Sequence, residues 1–310
     1  MPSPTRTDAP FGEYLETQRI AIDAALERLL PPPPDCSTLI AEIMRYSVFA
    51  GGKRLRPILT LATADTVSAS SALANRVMSV ACAIEMIHTY SLIHDDLPAM
   101  DDDMLRRGRP TAHVVYGEGL AILAGDALLT EAFGVIARQA ATADDRGRVC
   151  TLRTLDRIAA AAGVSGMVGG QVLDLQVTGQ QNGVFDPQSL RTMHACKTGA
   201  LIRAAAVSGA IMADGSDTAV DAVDAYATHL GLAFQIIDDI LDVEGTTDTL
   251  GKTVGKDAAA GKVTYPALYG LKESRRLARA SIADAKATLA AASLGGRLQE
   301  IADWVLSRST

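Results

Sequence analysis

The strongest constraint on the fold lies between residues 82 and 110, where an apolar stretch ends in five aspartates that are followed by three arginines. Apolar side chains recur there at the three-and-four spacing of one broad helix face, which predicts a helix largely buried by its neighbours. Such a helix would place Asp95 and Asp96 at its inner end. Because unpaired buried carboxylates are costly, we expect these groups to reach the surface, to be neutralised, or to surround cations.

A second stretch, residues 226–244, repeats this design and ends in Asp238, Asp239 and Asp242. A helix would stack the carboxylates of Asp238 and Asp242 on one face about 6 Å apart, because the two residues are four apart, and a cation can bridge that span. The side chain of Asp239 would point away from the face that carries these two carboxylates. The spacing therefore predicts Asp238 and Asp242 as a pair of cation ligands.

The first stretch needs a different geometry to form such a pair. Asp95 and Asp101 are six residues apart, and a regular helix would separate their side chains. Pro98 lies between them, which predicts that the helix ends there and that the chain loops back. Two aspartate clusters that face one cavity would form an oxygen-only site for a hard cation such as Mg²⁺.

Length and composition favour a single all-α domain. The 310 residues are 48% hydrophobic and only 4% aromatic. They are rich in Ala and Leu and poor in strand-like runs, which is typical of helical proteins. No Gly-, Ser- or Pro-rich linker divides the middle of the chain, so we predict one domain over residues 1–310. A formal net charge of −7 argues against a general nucleic-acid surface.

The sequence carries no pattern typical of export or of a membrane anchor. The N-terminus lacks the charged-then-apolar order of a secretory signal, and no uninterrupted apolar run reaches the length that spans a bilayer. The four cysteines show no CxxC spacing, which favours reduced, packed thiols over a zinc site or a disulfide framework. We therefore expect a soluble, cytoplasmic protein without stable membrane insertion.

Basic and glycine-containing motifs accompany the two acidic ones in a fixed order over residues 35–270. Together they resemble the trans-prenyltransferases, or polyprenyl diphosphate synthases, and most closely the bacterial farnesyl diphosphate synthases. A lone DDxxD motif would be weak support, because acidic runs are common on solvated helices, whereas the ordered series is specific. The motifs are GGKRLRP (51–57), DDLPAMD (95–101), LRRGRPTAH (105–113), GGQVLD (169–174), KTGALIR (197–203), FQ (234–235), DDILD (238–242) and GK (251–252 and 261–262).

The resemblance implies a fold, a reaction and a set of partners. It implies a single-domain helical bundle of the isoprenoid-synthase type around a central cavity, assembled as a homodimer. It also implies a Mg²⁺-dependent reaction that condenses isopentenyl diphosphate with dimethylallyl or geranyl diphosphate and releases diphosphate. The implied product is farnesyl diphosphate of (2E,6E) geometry, with geranylgeranyl diphosphate as the alternative product.

The same resemblance assigns a role to each matching residue. The implied metal ligands are Asp95, Asp101, Asp238 and Asp242. The residues implied to hold the diphosphate of isopentenyl diphosphate are Lys53, Arg56, His88 and Arg107. The residues implied to act on the allylic diphosphate, which form the predicted catalytic set, are Arg106, Lys197, Thr198, Gln235, Lys252 and Lys262. Two further residues, Gln171 and Asp174, would lie near the metal-bound diphosphate without binding the metal.

Structural alternatives compete with these roles. The basic residues could form solvated clusters or simply neutralise the acidic loop, and His88 could be a hydrogen-bonded core residue. By resemblance, Tyr90 would form the floor of the pocket for the growing chain and stop elongation at fifteen carbons. The structural alternative is that Tyr90 is a core aromatic residue whose hydroxyl group is hydrogen-bonded.

Two other protein classes share part of the pattern. A class I terpene cyclase has the same helical fold and the first acidic motif, but replaces the second motif with an Asn/Ser/Glu triad. The DDILD motif and the basic residues Lys53, Arg56 and Arg107 argue against that class. A non-catalytic subunit of a heteromeric prenyltransferase would be expected to lose aspartates, and this chain keeps both motifs.

Overall fold

The computed structural model describes residues 10–68, 74–178, 187–244 and 263–308. Regular structure in these ranges is almost entirely helical, so the all-α prediction is confirmed. The described strands form one short antiparallel hairpin, β1 (Leu105–Arg106) and β2 (Arg109–Pro110).

The helices are numbered in chain order, and a π-helical turn, Ala195–Gly199, joins two of them. They are α1 (Phe11–Leu29), α2 (Thr38–Val48), α3 (Leu55–Val67), α4 (Ala74–Asp95), α5 (Ala112–Tyr116), α6 (Glu118–Thr142), α7 (Asp145–Ala162), α8 (Met167–Thr178), α9 (Pro187–His194), α10 (Ala200–Met212), α11 (Asp217–Glu244), α12 (Tyr265–Tyr269), α13 (Leu271–Ala291) and α14 (Arg297–Ser307).

The chain divides into two compact units. The first comprises residues 1–155 and 208–214, and the second comprises residues 156–207 and 215–310. The boundaries fall within α7 and α10. The single-domain prediction stays a prediction.

In the first unit, α4 is a deeply buried helix that carries predicted site residues. Its residues from Val80 to Ile87 are buried without a break, as expected for a helix that has no polar face. It packs mainly against α6 and α3. The chain breaks between α2 and α3 at Gly51 and Gly52, whose φ angles of +97° and +128° lie in a region that residues with a side chain rarely adopt.

The charged residues 144–148 lie at the start of α7, which begins at Asp145. The reason is a helix cap: the carboxylate of Asp144 accepts the backbone N–H of Gly147 at 2.8 Å, which satisfies one of the free donors at the start of the helix.

In the second unit, α11 packs mainly against α13 and also against α14 and the π-helical turn. Tyr226 of α11 is fully buried, and its hydroxyl group donates to the carbonyl oxygen of Leu298 at 2.7 Å. This bond joins α11 to α14. The arrangement places the second acidic motif, at the end of α11, in a helical core.

Among the described residues, three helical stretches are long and apolar enough to cross a membrane by length and composition alone: Ala74–Asp95, Glu118–Thr142 and Asp145–Gln176. Each contains charged residues, so none is an uninterrupted apolar run. Two-thirds of the apolar window in the first stretch (67%) is buried inside the protein. The cytoplasmic location stays a prediction.

Candidate active site

The first acidic motif is formed by the end of α4 and the loop that follows. The helix ends at Asp95, before Pro98 as predicted. The chain then folds back, since the backbone N–H of Asp101 donates to the carbonyl oxygen of Asp95 at 2.9 Å, and that of Asp103 donates to Asp96 at 3.1 Å. This turn brings the backbones of Asp95 and Asp101 together and leaves both residues half-buried.

Asp96 holds an arginine of the predicted catalytic set. The carboxylate is 4% exposed and accepts Nε of Arg106 at 2.7 Å and its Nη2 at 2.5 Å. Burial raises the pKa of Asp96, and the hydrogen bonds from Arg106 oppose that rise. The guanidinium of Arg106 is therefore fixed beside the acidic motif by an aspartate to which the sequence pattern gave no role.

Arg54 anchors the glycine-containing loop that precedes α3. Its backbone is left-handed, with φ +50°, and its side chain is only 2% exposed. The guanidinium donates to Asp23 of α1, to Glu85 of α4 and to the carbonyl oxygen of Val48 in α2, at 2.8, 2.9 and 2.7 Å. Arg54 thus ties the loop to three helices. In the sequence, it lies between two of the predicted substrate-binding cations.

Arg107 lies against the same loop. Its Nη1 donates to the carbonyl oxygen of Gly51. At Gly52, an added Cβ would come within 2.8 Å of three guanidinium atoms of Arg107. The absence of a side chain at Gly52 therefore makes room for this guanidinium, which explains a glycine at this position in physical terms.

His88 lies on α4, in the same compact unit as Arg56 and Arg107. Burial, followed by the positive charges of Arg56 and Arg107, holds the pKa of His88 well below its usual range. The imidazole is therefore neutral at physiological pH. Lys53 lies exposed on the same loop.

The second acidic motif occupies the end of α11. Asp238 and Asp242 are four residues apart on this helix, as predicted, and Asp242 is buried. Asp239 is also buried, and it accepts the side-chain Nε2 of Gln235 and the backbone N–H of Tyr265, both at 2.9 Å. The amide of Gln235 is thereby held by Asp239.

Asp238 has a partner that no sequence motif indicated. Arg308 follows α14, and its Nη2 lies 2.7 Å from Oδ1 of Asp238. The guanidinium carbon lies 4.2 Å from the centre of the Phe234 ring. A predicted metal ligand is thus paired with the arginine that follows the last described helix.

Lys197 and Thr198 lie on the π-helical turn and not on a regular α-helix. Such wider turns are frequent at functional sites. Nζ of Lys197 donates to Oδ2 of Asp174 in α8 at 2.6 Å, and Thr198 is half-buried. The two backbones approach closely at Gly170, where an added Cβ would lie 2.2 Å from the backbone nitrogen of Lys197. Nε2 and Oε1 of Gln171 are buried without a hydrogen-bond partner among the described residues.

The predicted metal ligands fit a hard divalent cation in donor type, since all four are carboxylates that are half-buried or buried. Within the described ranges, no group of three or more His, Cys, Asp and Glu side chains lies close enough to hold a metal ion by itself. A cation at either motif would therefore need further oxygen ligands, such as those of water or a diphosphate. Lys252 and Lys262 lie outside the described residues.

Tyr90 is buried on α4, at 7% exposure. Its ring contacts the imidazole of His94 edge to face, with the ring centres 5.5 Å apart. Nε2 of His94 lies 3.0 Å from the carbonyl oxygen of Ile122 in α6, and it carries the hydrogen of this bond because a carbonyl oxygen only accepts. The tyrosine ring is thus directed towards an imidazole that is fixed to the neighbouring helix.

The all-α fold, with carboxylates paired to arginines and a lysine around its acidic motifs, defines the class of protein. The chain belongs to the polyprenyl synthetase family, whose model matches residues 37–292. It is therefore a prenyltransferase.

Curated relatives and solved structures agree with this membership. The chain is 46% identical to the farnesyl diphosphate synthase of Escherichia coli, over 96% of this chain and 99% of that protein. It is 42% identical to the geranylgeranyl diphosphate synthase of Cyanophora paradoxa, over 91% of each. The crystal structure of a geranyltransferase from Helicobacter pylori, complexed with magnesium and isoprenyl diphosphate, matches 97% of each chain with a TM-score of 0.83 and 29% identity. The isoprenoid-synthase type of fold is thereby confirmed.

Proposed function

We propose that this protein is a short-chain trans-prenyltransferase that condenses isopentenyl diphosphate with dimethylallyl and then geranyl diphosphate, giving (2E,6E)-farnesyl diphosphate and releasing diphosphate. The observation that carries the proposal is the guanidinium of Arg107, which donates to the carbonyl oxygen of Gly51 in the loop that carries Lys53 and Arg56. Guanidinium groups stay charged at any working pH and bind phosphate through paired donors. A terpene cyclase, which takes a single diphosphate substrate, has no need for this second anion site.

The metal requirement follows from the two acidic motifs. Asp95 and Asp101 in the first motif, with Asp238 and Asp242 in the second, are the residues we propose to hold Mg²⁺. When bound, the metal would neutralise the negative charge that develops on the leaving diphosphate. The magnesium and isoprenyl diphosphate in the Helicobacter pylori structure support this assignment.

Preorganised cations would assist the departure of the allylic diphosphate. Arg106 is held by Asp96, and Lys197 is held by Asp174. Because both cations are already fixed, little reorganisation accompanies the breaking of the carbon–oxygen bond, and this is the condition under which electrostatic stabilisation is largest. Thr198 and Gln235 would contribute neutral hydrogen-bond donors to the same group.

Bond formation would follow from the allylic cation. The double bond of isopentenyl diphosphate attacks the cationic carbon, and loss of one proton gives a product that is five carbons longer with an E double bond. We assign that proton to the released diphosphate, because the predicted site residues include no evident general base. His88 is neutral but belongs to the proposed isopentenyl diphosphate cluster, where a hydrogen-bonding role suffices.

The product length is the finer part of the proposal. The 46% identity to a farnesyl diphosphate synthase supports a fifteen-carbon product, and so does the bulky Tyr90 on α4. The 42% identity to a geranylgeranyl diphosphate synthase favours the twenty-carbon alternative.

The test is a product analysis. Purified protein would be incubated with Mg²⁺, isopentenyl diphosphate and each allylic starter in turn, and the chain length of the products determined by mass spectrometry. Farnesyl diphosphate as the main product supports the proposal, and geranylgeranyl diphosphate supports the alternative. Turnover of an allylic diphosphate without incorporation of isopentenyl diphosphate would instead indicate a cyclase, and no turnover with any starter would indicate a non-catalytic subunit.

We also propose that the protein is a homodimer and that α6 contributes to the interface. This helix carries apolar side chains that are exposed in the single chain, including Ile122 at 41% and Leu123 at 57%. Adjacent exposed apolar residues on one helix are typical of interaction surfaces. Light scattering should give twice the chain mass, and a protein that is monomeric at micromolar concentration would contradict this assembly.

A further inference from the structure

The last described helix places an arginine on a proposed metal ligand. Arg308 follows α14, and its Nη2 lies 2.7 Å from Oδ1 of Asp238. The arginine side chain is 9% exposed, whereas the carboxylate side chain is 35% exposed. The carboxylate that would bind a divalent cation is therefore already paired with a cation of the protein itself.

Two aromatic rings hold the guanidinium at this place. Its central carbon lies 4.2 Å from the ring centre of Phe234 and 5.8 Å from that of Trp304. Phe234 is one helical turn before Asp238 on α11, so the ring and the carboxylate lie on the same face. A guanidinium over an aromatic ring is favourable, and more so when it is shielded from water. The site for Arg308 is therefore built by α11 and α14 together.

The guanidinium is incompletely satisfied, however. Nε and Nη1 of Arg308 are buried without a hydrogen-bond partner in the described part of the chain. Burying such donors is costly, so the attraction to Asp238 has to offset that cost. A divalent cation on Asp238 would remove this attraction and add repulsion between two cations.

We propose that Arg308 is a built-in counter-cation of Asp238, which competes with the divalent cation for this carboxylate and is displaced when the cation binds. The proposal rests on the proposed function only in taking Asp238 as a metal ligand. Arg308 then sets the metal affinity of the second acidic motif, because each metal ion that binds has to break the arginine–aspartate pair. Before the metal arrives, the same pair keeps the carboxylate neutralised.

The chain contains a natural reporter for this exchange. Trp304 is its single tryptophan and lies beside the guanidinium. Mn²⁺ would be titrated into the full-length protein without substrate, with the free Mn²⁺ measured by electron paramagnetic resonance and the tryptophan emission recorded in parallel. In the wild type, Mn²⁺ binding should change the emission as Arg308 leaves. Asp238→Asn should weaken Mn²⁺ binding and abolish the emission change.

Arg308→Gln should bind Mn²⁺ about tenfold more tightly, the size of effect expected for loss of one competing charge-assisted hydrogen bond. Its emission should no longer respond to the metal. Arg308→Lys keeps the charge but loses the planar fork, so its affinity should lie between the two. Arg276→Gln is the matched control, because Arg276 is an exposed arginine of α13 that pairs with Glu273, and it should leave both readouts unchanged.

Equal or weaker Mn²⁺ affinity in Arg308→Gln, or an emission change that persists in this variant, would overturn the proposal. Circular dichroism would show whether Arg308→Gln is folded. If it is unfolded, the Mn²⁺ affinity of Arg308→Lys tests the proposal in its place. Wild-type protein without Asp238-dependent Mn²⁺ binding would overturn both this proposal and the metal part of the proposed function. Asp238-dependent binding with equal affinity in wild type and Arg308→Gln would overturn this proposal alone.

Discussion

Lys197 and Asp174 are joined by a short charged hydrogen bond, with 2.6 Å between the ammonium Nζ and the carboxylate Oδ2. The two residues lie on the π-helical turn and on α8, whose backbones approach closely at Gly170. An added Cβ at Gly170 would lie 2.2 Å from the nitrogen of Lys197 and 2.6 Å from its Cα. The position of the cation therefore depends on a residue that has no functional group.

Gly170→Ala should separate these two backbones. The new methyl group would clash with main-chain atoms, which cannot move aside by a change of rotamer. We therefore expect a loss of about 1–3 kcal/mol in the free energy of unfolding. Displacement of Lys197 should also lower kcat by more than about tenfold, because small errors in the position of a charged group are costly in catalysis. Urea denaturation and steady-state kinetics would measure the two effects.

The matched control is Gly119→Ala in α6, where an added Cβ meets nothing within 4 Å. It should be neutral or slightly stabilising, because alanine is a better helix former than glycine. Full activity and unchanged stability in Gly170→Ala would show that the close approach does not position Lys197.

The proposed metal ligands should be far more sensitive than their acidic neighbour. Replacement of Asp95, Asp101 or Asp238 by Ala should each lower kcat by about a hundredfold, by analogy with loss of one preorganised electrostatic contact. Asp103→Ala should be much milder, since it lies outside the motif and its carboxylate is 3.8 Å from Arg106. Thorough chelation should abolish turnover, and added Mg²⁺ should restore it. Equal losses in all four variants would indicate a diffuse charge patch instead of a coordination site.

Arg54→Met should be strongly destabilising. The substitution leaves Glu85 buried without its partner, and breaking a buried pair in this way costs about 3–5 kcal/mol. The double variant Arg54→Met/Glu85→Gln should recover part of this loss, because no uncompensated buried charge then remains. Denaturant unfolding of the single and double variants would measure the coupling.

A control for Arg54 is Arg138→Met, which removes an exposed pair with Glu131 on α6. Exposed pairs contribute little, so its unfolding midpoint should hardly change. If Arg54→Met were equally mild, the network around Arg54 would not be what fixes the loop.

His194 should make the fold sensitive to acid. It is 8% exposed, and burial lowers its pKa to about 4. As pH falls below about 6.5, the unfolded chain binds a proton at this residue before the folded chain does, so stability decreases by up to about 3 kcal/mol by pH 4 and is unaffected above neutral pH. His194→Gln should reduce this slope relative to the wild type. Denaturant midpoints between pH 4.5 and 7.5 would show the difference.

Tyr90→Ala should lengthen the product. Removing the ring opens space beside His94 on α4, so the main product should shift from farnesyl to geranylgeranyl diphosphate or longer, with the first condensation preserved. Ser91→Ala is the control, because its small side chain only donates to the carbonyl oxygen of His88. An unchanged product distribution in folded, active Tyr90→Ala would reject the tyrosine as the floor of the pocket and favour geranylgeranyl diphosphate as the native product.

The sequence by itself determined the features that depend on local rules. Hydrophobic periodicity predicted the helices, because the side chains of a buried helix follow its turn. Pro98 predicted the end of α4, because a proline acts through the backbone angles of a few adjacent residues. The four-residue spacing of Asp238 and Asp242 likewise required only helix geometry.

Tertiary structure decided which side chains hold the functional ones. Asp96 with Arg106 is a pairing over ten residues, and Asp174 with Lys197 is one over twenty-three. Arg308 reaches Asp238 from the segment that follows α14, seventy residues further along the chain. No local pattern specifies such partners, because a charged side chain pairs with whichever opposite charge the packing of the helices brings within reach. The motifs thus indicated where the chemistry lies, and helix packing fixed the orientation of the groups that perform it.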